Sequence, residues 1–166
     1  MNPADNRRFA RGLIVGKFSP LHKGHEFLIK QAQAECDTLY LISYSEPELP
    51  GCERTRREAW LQKRFPRLPA LVLDQRELRR LSATRGIDSP PRIPHNDATD
   101  HEQRLFCGWL CQHLLGTSID AVFTSEDYGA GFAAVLTDYF RRHNPNAPEV
   151  THRCIDRHRV QVPISG

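Results

Sequence analysis

No apolar run in this 166-residue chain approaches the roughly 20 residues that a membrane-spanning helix needs. The opening residues, Met1 to Gly12, lack the apolar core of a secretory signal. A cytoplasmic protein without a membrane partner is therefore expected. The five cysteines, Cys36, Cys52, Cys107, Cys111 and Cys154, are odd in number and include no C-x-x-C pair, which argues for reduced thiols over a disulfide framework. Cys107 and Cys111 lie one helical turn apart, but no second close pair of Cys or His completes a tetrahedral set, so no metal site of the protein's own is expected. Net charge is scarce as well. A formal +3 falls short of a nucleic-acid binder's basic stripe, and the basic residues are not interleaved with aromatics as a single-strand platform requires. Internal repeats and a second domain are also missing.

What is present is a globular balance, 39% apolar and 26% charged residues, on a chain long enough to bury a real core. Leu13-Ile14-Val15 reads as a short strand that runs into a turn at Gly16-Lys17-Phe18-Ser19-Pro20. Ser19 precedes a proline and is biased to extended backbone, so the next helix begins no earlier than Pro20 and is expected to start at His22 or Lys23. Such a place suits a polyanion. Unpaired N–H groups and the positive helix end point into it, Gly16 and Gly24 are expected to let a ligand approach the backbone, and Lys17, His22 and His25 add donors. His22 and His25 are three apart and can face the same phosphates.

Farther along, the first helix is expected to reach about Cys36 and to be broken by Asp37-Thr38, followed by a strand at Leu39 to Ile42. Ser43 to Pro47 would then emerge beside the phosphate turn. Glu53 to Phe65 reads as an arginine-rich helix anchored by Trp60, Leu61 and Phe65, and Ala70 to Leu73 as a third strand. From Leu81 to Asp100 loop chemistry dominates, with Gly86, Pro90, Pro91 and Pro94, and a functional rim or lid over the site is expected. Phe106, Trp109, Leu110, His113 and Leu114 mark a helix from Asp100 to Leu115, with His113 packed on its stripe and Gly116 as its stop. Ile119 to Phe123 is a fourth strand, Ala130 to His143 a helix, and Glu149 to Cys154 a fifth strand. Strands alternating with helices at this spacing predict a single α/β domain, a doubly wound parallel sheet with helices on both faces.

The pattern Gly16-x-Phe18-x-Pro20-x-His22-x-Gly24-His25 resembles the H-x-G-H signature of the nucleotidylyltransferase superfamily, whose members move AMP or CMP from a triphosphate to a phosphorylated acceptor and release pyrophosphate. Two further stretches are similar to NadR-like nicotinamide-mononucleotide adenylyltransferases: Thr124-Ser125-Glu126 at a strand end, and Ile164-Ser165-Gly166, which looks like the start of their I-S-G-x-x-I-R phosphate motif. Ser19-Pro20 stands where cytidylyltransferases carry an aspartate. The resemblance thus implies a Rossmann-like fold and adenylyl transfer from ATP to nicotinamide mononucleotide, giving NAD. A cytidylyltransferase, an adenylyltransferase with another phosphorylated acceptor and a non-catalytic nucleotide sensor are the alternatives.

By that resemblance His22 and His25 donate to the triphosphate and Lys17 assists on its phosphates. Gly16, Phe18 and Gly24 meet the nucleotide through backbone, Ser125 and Glu126 meet it at the fourth strand, and Ser165 begins a second clamp. Ser125 and Glu126 also fit a plain role in capping the next helix. Mg²⁺ is implied by the triphosphate and would be held mainly by its oxygens. The arginine that the family places three residues after Gly166 is absent, so a domain cut within the second phosphate motif is expected. Arg57, with Arg54 its runner-up, is a candidate for the acceptor phosphate, beside the reading of both as solvated arginines. A homo-oligomer remains open.

Overall fold

The computed structural model describes residues 8–125 and 129–155; Glu126, Ser165 and the Ile164-Ser165-Gly166 motif lie outside the described residues. Five strands, β1 (Phe9–Gly16), β2 (Cys36–Ser43), β3 (Ala70–Val72), β4 (Ala121–Thr124) and β5 (Thr151–Cys154), form one parallel sheet in the order β3-β2-β1-β4-β5. Between them run helices α1 (Lys23–Glu35), α2 (Arg54–Arg64), α3 (Gln75–Thr84), α4 (Asp100–Leu110) and α5 (Gly129–His143). The chain builds outward from β1 to β3, crosses back, and builds from β4 to β5 on the other side. With right-handed crossovers that reversal puts helices on both faces and makes the gap between β1 and β4 the topological switch point.

The strands show why the sheet is buried on both faces. Ile14, Leu39, Leu41 and Phe123 pack with Leu28, Ile29 and Ala32 of α1 and Leu61 of α2. Leu13, Ile42 and Val122 face the opposite way, onto Leu78 of α3, Phe106 and Leu110 of α4, and Phe132, Leu136 and Phe140 of α5. Successive strand residues thus feed two separate cores, which is why their sequences show apolar runs without alternation. Among the described residues no helix is long and apolar enough to cross a membrane.

Several boundaries depart from the sequence-based expectation. Helix α1 ends at Glu35, close to the expected Cys36, but Asp37 and Thr38 are not a break between helix and strand: they already belong to β2, because pairing with β1 from Phe9 onward holds them in the sheet. Helix α3 has no counterpart in the sequence reading. Its apolar stripe is narrow, Leu78 with half-buried Leu81, set among the four charged residues Arg76, Glu77, Arg79 and Arg80, and its start is fixed by Asp74, whose carboxylate accepts from Glu77 N–H at 2.7 Å. Helix α4 continues through a π-helical turn, Cys111–Leu115, and stops at Gly116 with φ 70°. His113 is half-buried beside Trp109 (5.0 Å) and His143 (6.1 Å), at the margin of the stripe and not in its centre.

One charged pair ties the two halves of the sheet. Glu35, at the end of α1, is 6% exposed, and its carboxylate accepts from Arg153 Nε at 2.8 Å and Nη2 at 2.9 Å on β5. Those bonds hold the Glu35 carboxyl below its usual range despite its burial. A carboxylate with a depressed folded pKa contributes stability that is present above its unfolded value of about 4.3 and is lost as pH falls through the folded value. Glu35→Gln is therefore expected to lower unfolding free energy at pH 7 by about 1.5–3 kcal/mol, the scale of charge-assisted bonds. Denaturant titration at a series of pH values should show the difference shrinking below pH ~4.3; a constant difference would separate the pair from the carboxylate's charge.

Candidate functional site

The switch point carries a cavity of about 290 Å³, near the lower bound of small-ligand pockets. Val15, Gly16 and Lys17 line it from the end of β1, and Phe123 and Thr124 from the end of β4. The remaining wall comes from Tyr44 beyond β2, Asn96 and Ala98 of the loop before α4, Asp100, Gln103, Arg104 and Cys107 of α4, and Phe132 of α5. Sequence reasoning brought Gly16 and Lys17 here but missed Asn96, Gln103 and Arg104. Only the rim expected between Leu81 and Asp100 pointed toward them.

Tyr44 is nearly sealed, with its hydroxyl 2.7 Å from Gln103 Oε1 and 3.7 Å from Cys107 Sγ. Burial pushes the Tyr44 hydroxyl well above its usual value and the Cys107 thiol up to about 12. The cavity floor is therefore neutral, and Cys107 is no nucleophile at physiological pH. Among the described lining residues Lys17 and Arg104 are basic and Asp100 is acidic. The Arg104 guanidinium lies over the first turn of α5, where a Cβ on Gly131 would stand 2.7 Å from its Nη1. Tyr44, Phe123 and Phe132 supply the aromatic surface; neither Trp60 nor Trp109 lines the cavity.

The loop wall is clipped in place. Asn96 accepts from Glu46 N–H at 3.0 Å through Oδ1, donates through Nδ2 to Pro47 O at 3.0 Å, and donates its own N–H to Glu46 O at 2.8 Å. A loop held at three points to the exit of β2 is a fixed rim. Asn96→Ala leaves Glu46 N–H unpaired, and amide hydrogen exchange in the loop before α4 is expected to quicken severalfold with exchange in β1 and β4 unchanged. Equal quickening in the strands would show that the clip supports the whole site.

The histidines stand at the start of α1, next to the cavity turn in sequence but not among its lining residues. His22 is the N-cap: its Nδ1 accepts from Gly24 N–H at 3.1 Å and His25 N–H at 3.4 Å. His25 returns the bond, its Nδ1 accepting from His22 N–H at 3.3 Å. Backbone N–H groups only donate, so both Nδ1 atoms must carry lone pairs and both ring protons sit on Nε2. The rings stack at 3.6 Å, and Phe18 meets His25 edge-on at 4.9 Å. Burial, with His22 adding to it, lowers the His25 pKa to about 4, so its Nε2–H is a neutral donor at pH 7. The Nε2 of His22 is shielded from solvent and finds no hydrogen-bond partner among the described residues.

The two glycines have a steric role beside the backbone access expected of them. A Cβ on Gly16 would lie 2.9 Å from Phe18 Cζ, and one on Gly24 would lie 2.9 Å from His22 Cε1. Each makes room for a ring that folds back over it. Phe18 itself holds φ 51°, a left-handed conformation uncommon for an aromatic residue, and is 2% exposed.

Arg57 departs furthest from expectation. It is neither solvated nor open to a ligand: the side chain is 0% exposed, and Cys52 O, Ser43 Oγ, Glu48 Oε2 and Leu73 O take four of its N–H groups. Arg54 is likewise engaged, with Glu58, Asp74 and Glu77 within 4.0 Å. Neither lines the cavity. Ser125 is half-buried just beyond the Thr124 rim. Among the described residues no group of three or more His, Cys, Asp or Glu could hold a metal ion.

No protein-family model matches the chain. It is 36% identical over 84 residues to a probable nicotinate-nucleotide adenylyltransferase of Cellvibrio japonicus (strain Ueda107), a match covering 47% of this chain and 39% of that protein's length. A solved structure, described as the X-ray structure of Pen from Bacillus thuringiensis, is 16% identical, with a TM-score of 0.34 over 86% of this chain and 48% of that one. The similarity to the Cellvibrio protein supports a relationship to the nucleotidylyltransferase superfamily.

Proposed function

We propose that the chain is an adenylyltransferase that moves AMP from ATP to a pyridine mononucleotide, nicotinamide mononucleotide before its nicotinate counterpart, with release of pyrophosphate. The observation that carries the reading is the pair of Nε2–H donors, His22 and His25, locked by mutual capping at a helix N-terminus that follows the central strand. The similarity to a probable nicotinate-nucleotide adenylyltransferase supports the reaction class. The aromatic rings of Tyr44, Phe123 and Phe132 and the Lys17 ammonium in the cavity lining support a phosphorylated acceptor with a flat ring.

In this reading the acceptor phosphate attacks the α-phosphorus of ATP in line. It is already ionised at neutral pH, so the chain supplies alignment and charge stabilisation and needs no general base. His22 and His25 hydrogen-bond to the triphosphate as charge builds on the leaving group, and the positive end of α1 adds to them. Lys17, exposed and without an ion pair among the described residues, neutralises phosphate oxygens. Gly16 and Phe18 set the turn, Gly24 seats His22, and Ser125, with Glu126 and Ser165, is kept as a nucleotide contact. The exposed donors near the turn are cationic or N–H, the kind that binds phosphate, and so fit Mg²⁺ that is carried on the triphosphate itself.

The test is pyrophosphate release by the full-length gene product with ATP and Mg²⁺, offered nicotinamide mononucleotide, nicotinate mononucleotide or no acceptor. Release that depends on nicotinamide mononucleotide is expected. Release with CTP and not ATP would reassign the nucleotide, and release with neither pyridine nucleotide would remove the acceptor.

A further inference from the structure

Among the described residues Arg57 is the only basic side chain with no solvent exposure. Burying a guanidinium is expensive, and a well-packed apolar side chain commonly does as well for stability. Its charge therefore asks for another explanation. Three of its bonds, to Cys52 O (2.9 Å), Leu73 O (2.9 Å) and Glu48 Oε2 (2.8 Å), clamp the guanidinium between the loop before α2 and the end of β3. The fourth, Nη1 to Ser43 Oγ at 2.6 Å, leads toward the site.

Ser43 is fully buried at the end of β2, in register with Gly16 of β1. A guanidinium only donates, so Ser43 Oγ must accept from Arg57 and has a single proton to give. That proton goes to Lys17 O, 3.0 Å away. The direction of the relay is thus fixed by chemistry. In a trans peptide the C=O and the following N–H point opposite ways, so the bond that draws Lys17 O toward β2 turns Phe18 N–H away from it. It also anchors the residue just ahead of Phe18 at φ 51°, where the backbone needs outside support.

We propose that Arg57 and Ser43 are positioning residues that set the peptide between Lys17 and Phe18 for binding of a nucleoside triphosphate. The inference rests on the reading of the turn as a triphosphate site. Ser43→Ala removes the relay and leaves the other three bonds of Arg57 intact, and Arg57→Lys keeps the charge but cannot match four acceptors in one plane. With the full-length protein, calorimetric titration with a non-hydrolysable ATP analogue and Mg²⁺ should show about tenfold weaker binding for Ser43→Ala, the scale of one lost hydrogen bond. Acceptor affinity should stay as in wild type, and the amide resonance of Phe18 should move. Arg57→Lys should reproduce both effects with a lower melting temperature.

Wild-type ATP affinity and an unmoved Phe18 amide in a folded Ser43→Ala protein would overturn the positioning role while leaving the proposed function standing. Equal losses for the analogue and the acceptor would show a merely structural role. Failure of the wild-type protein to bind the analogue would overturn both.

Discussion

His25→Ala is expected to lower adenylyl transfer by about a hundredfold or more, the scale on which removal of a main transition-state donor acts. Its Nε2–H is kept available because the other ring nitrogen is committed to His22 N–H and because the ring stays neutral down to about pH 4. Turnover should accordingly show no inflection from His25 near pH 6.5. The unfolded chain protonates this ring at about 6.5 and the folded one only near 4, so the ring's effect on stability is an acid one: stability falls as pH drops below about 6.5. A companion variant separates catalysis from capping. His22→Asn retains a good N-cap but has no imidazole donor, so it should fold with near-normal stability and still turn over poorly. Normal turnover in either folded variant would leave the histidines as caps alone.

Gly24→Ala should separate stability from activity in the opposite way. At an early helix position alanine is favoured over glycine by about 0.8–1.0 kcal/mol, which would on its own strengthen α1. The new methyl would, however, stand 2.9 Å from His22 Cε1 and 3.1 Å from its Nδ1, so the ring must leave the cap. The two effects nearly cancel in stability, since a lost N-cap costs about 1 kcal/mol. They do not cancel in turnover, where a misplacement of about 1 Å in a positioning group can cost about a hundredfold. A melting temperature within a few degrees of wild type with turnover reduced by ten- to a hundredfold is the expected outcome. Unchanged turnover would show that the ring's resting position is immaterial to the chemistry.

The strand–turn–helix around Gly16 to His25 was legible because its constraints are local: a proline that delays the helix and a cap residue. The room that Gly16 and Gly24 leave for the rings of Phe18 and His22, beside the backbone access expected of them, was not, because it depends on how those rings fold back. The parallel sheet and its helices were legible from apolar runs and five-point stripes, except for α3, whose stripe is too narrow among its charges. Arg57 was illegible in principle. Its burial is created by acceptors from Ser43, Glu48, Cys52 and Leu73, which only the closing of β2 and β3 brings together. Asn96, Gln103 and Arg104 were missed for the same reason, since the switch between β1 and β4 gathers them from a loop and a helix with no motif of their own.

The most direct test of nucleotidyl transfer is to follow the label from ATP carrying ³²P at either the α or the γ position, with Mg²⁺, nicotinamide mononucleotide and the full-length protein. Our account predicts that the α label enters a dinucleotide product and the γ label leaves as pyrophosphate, in equal amounts. A γ label released as orthophosphate, or an α label that never joins the acceptor, would contradict it.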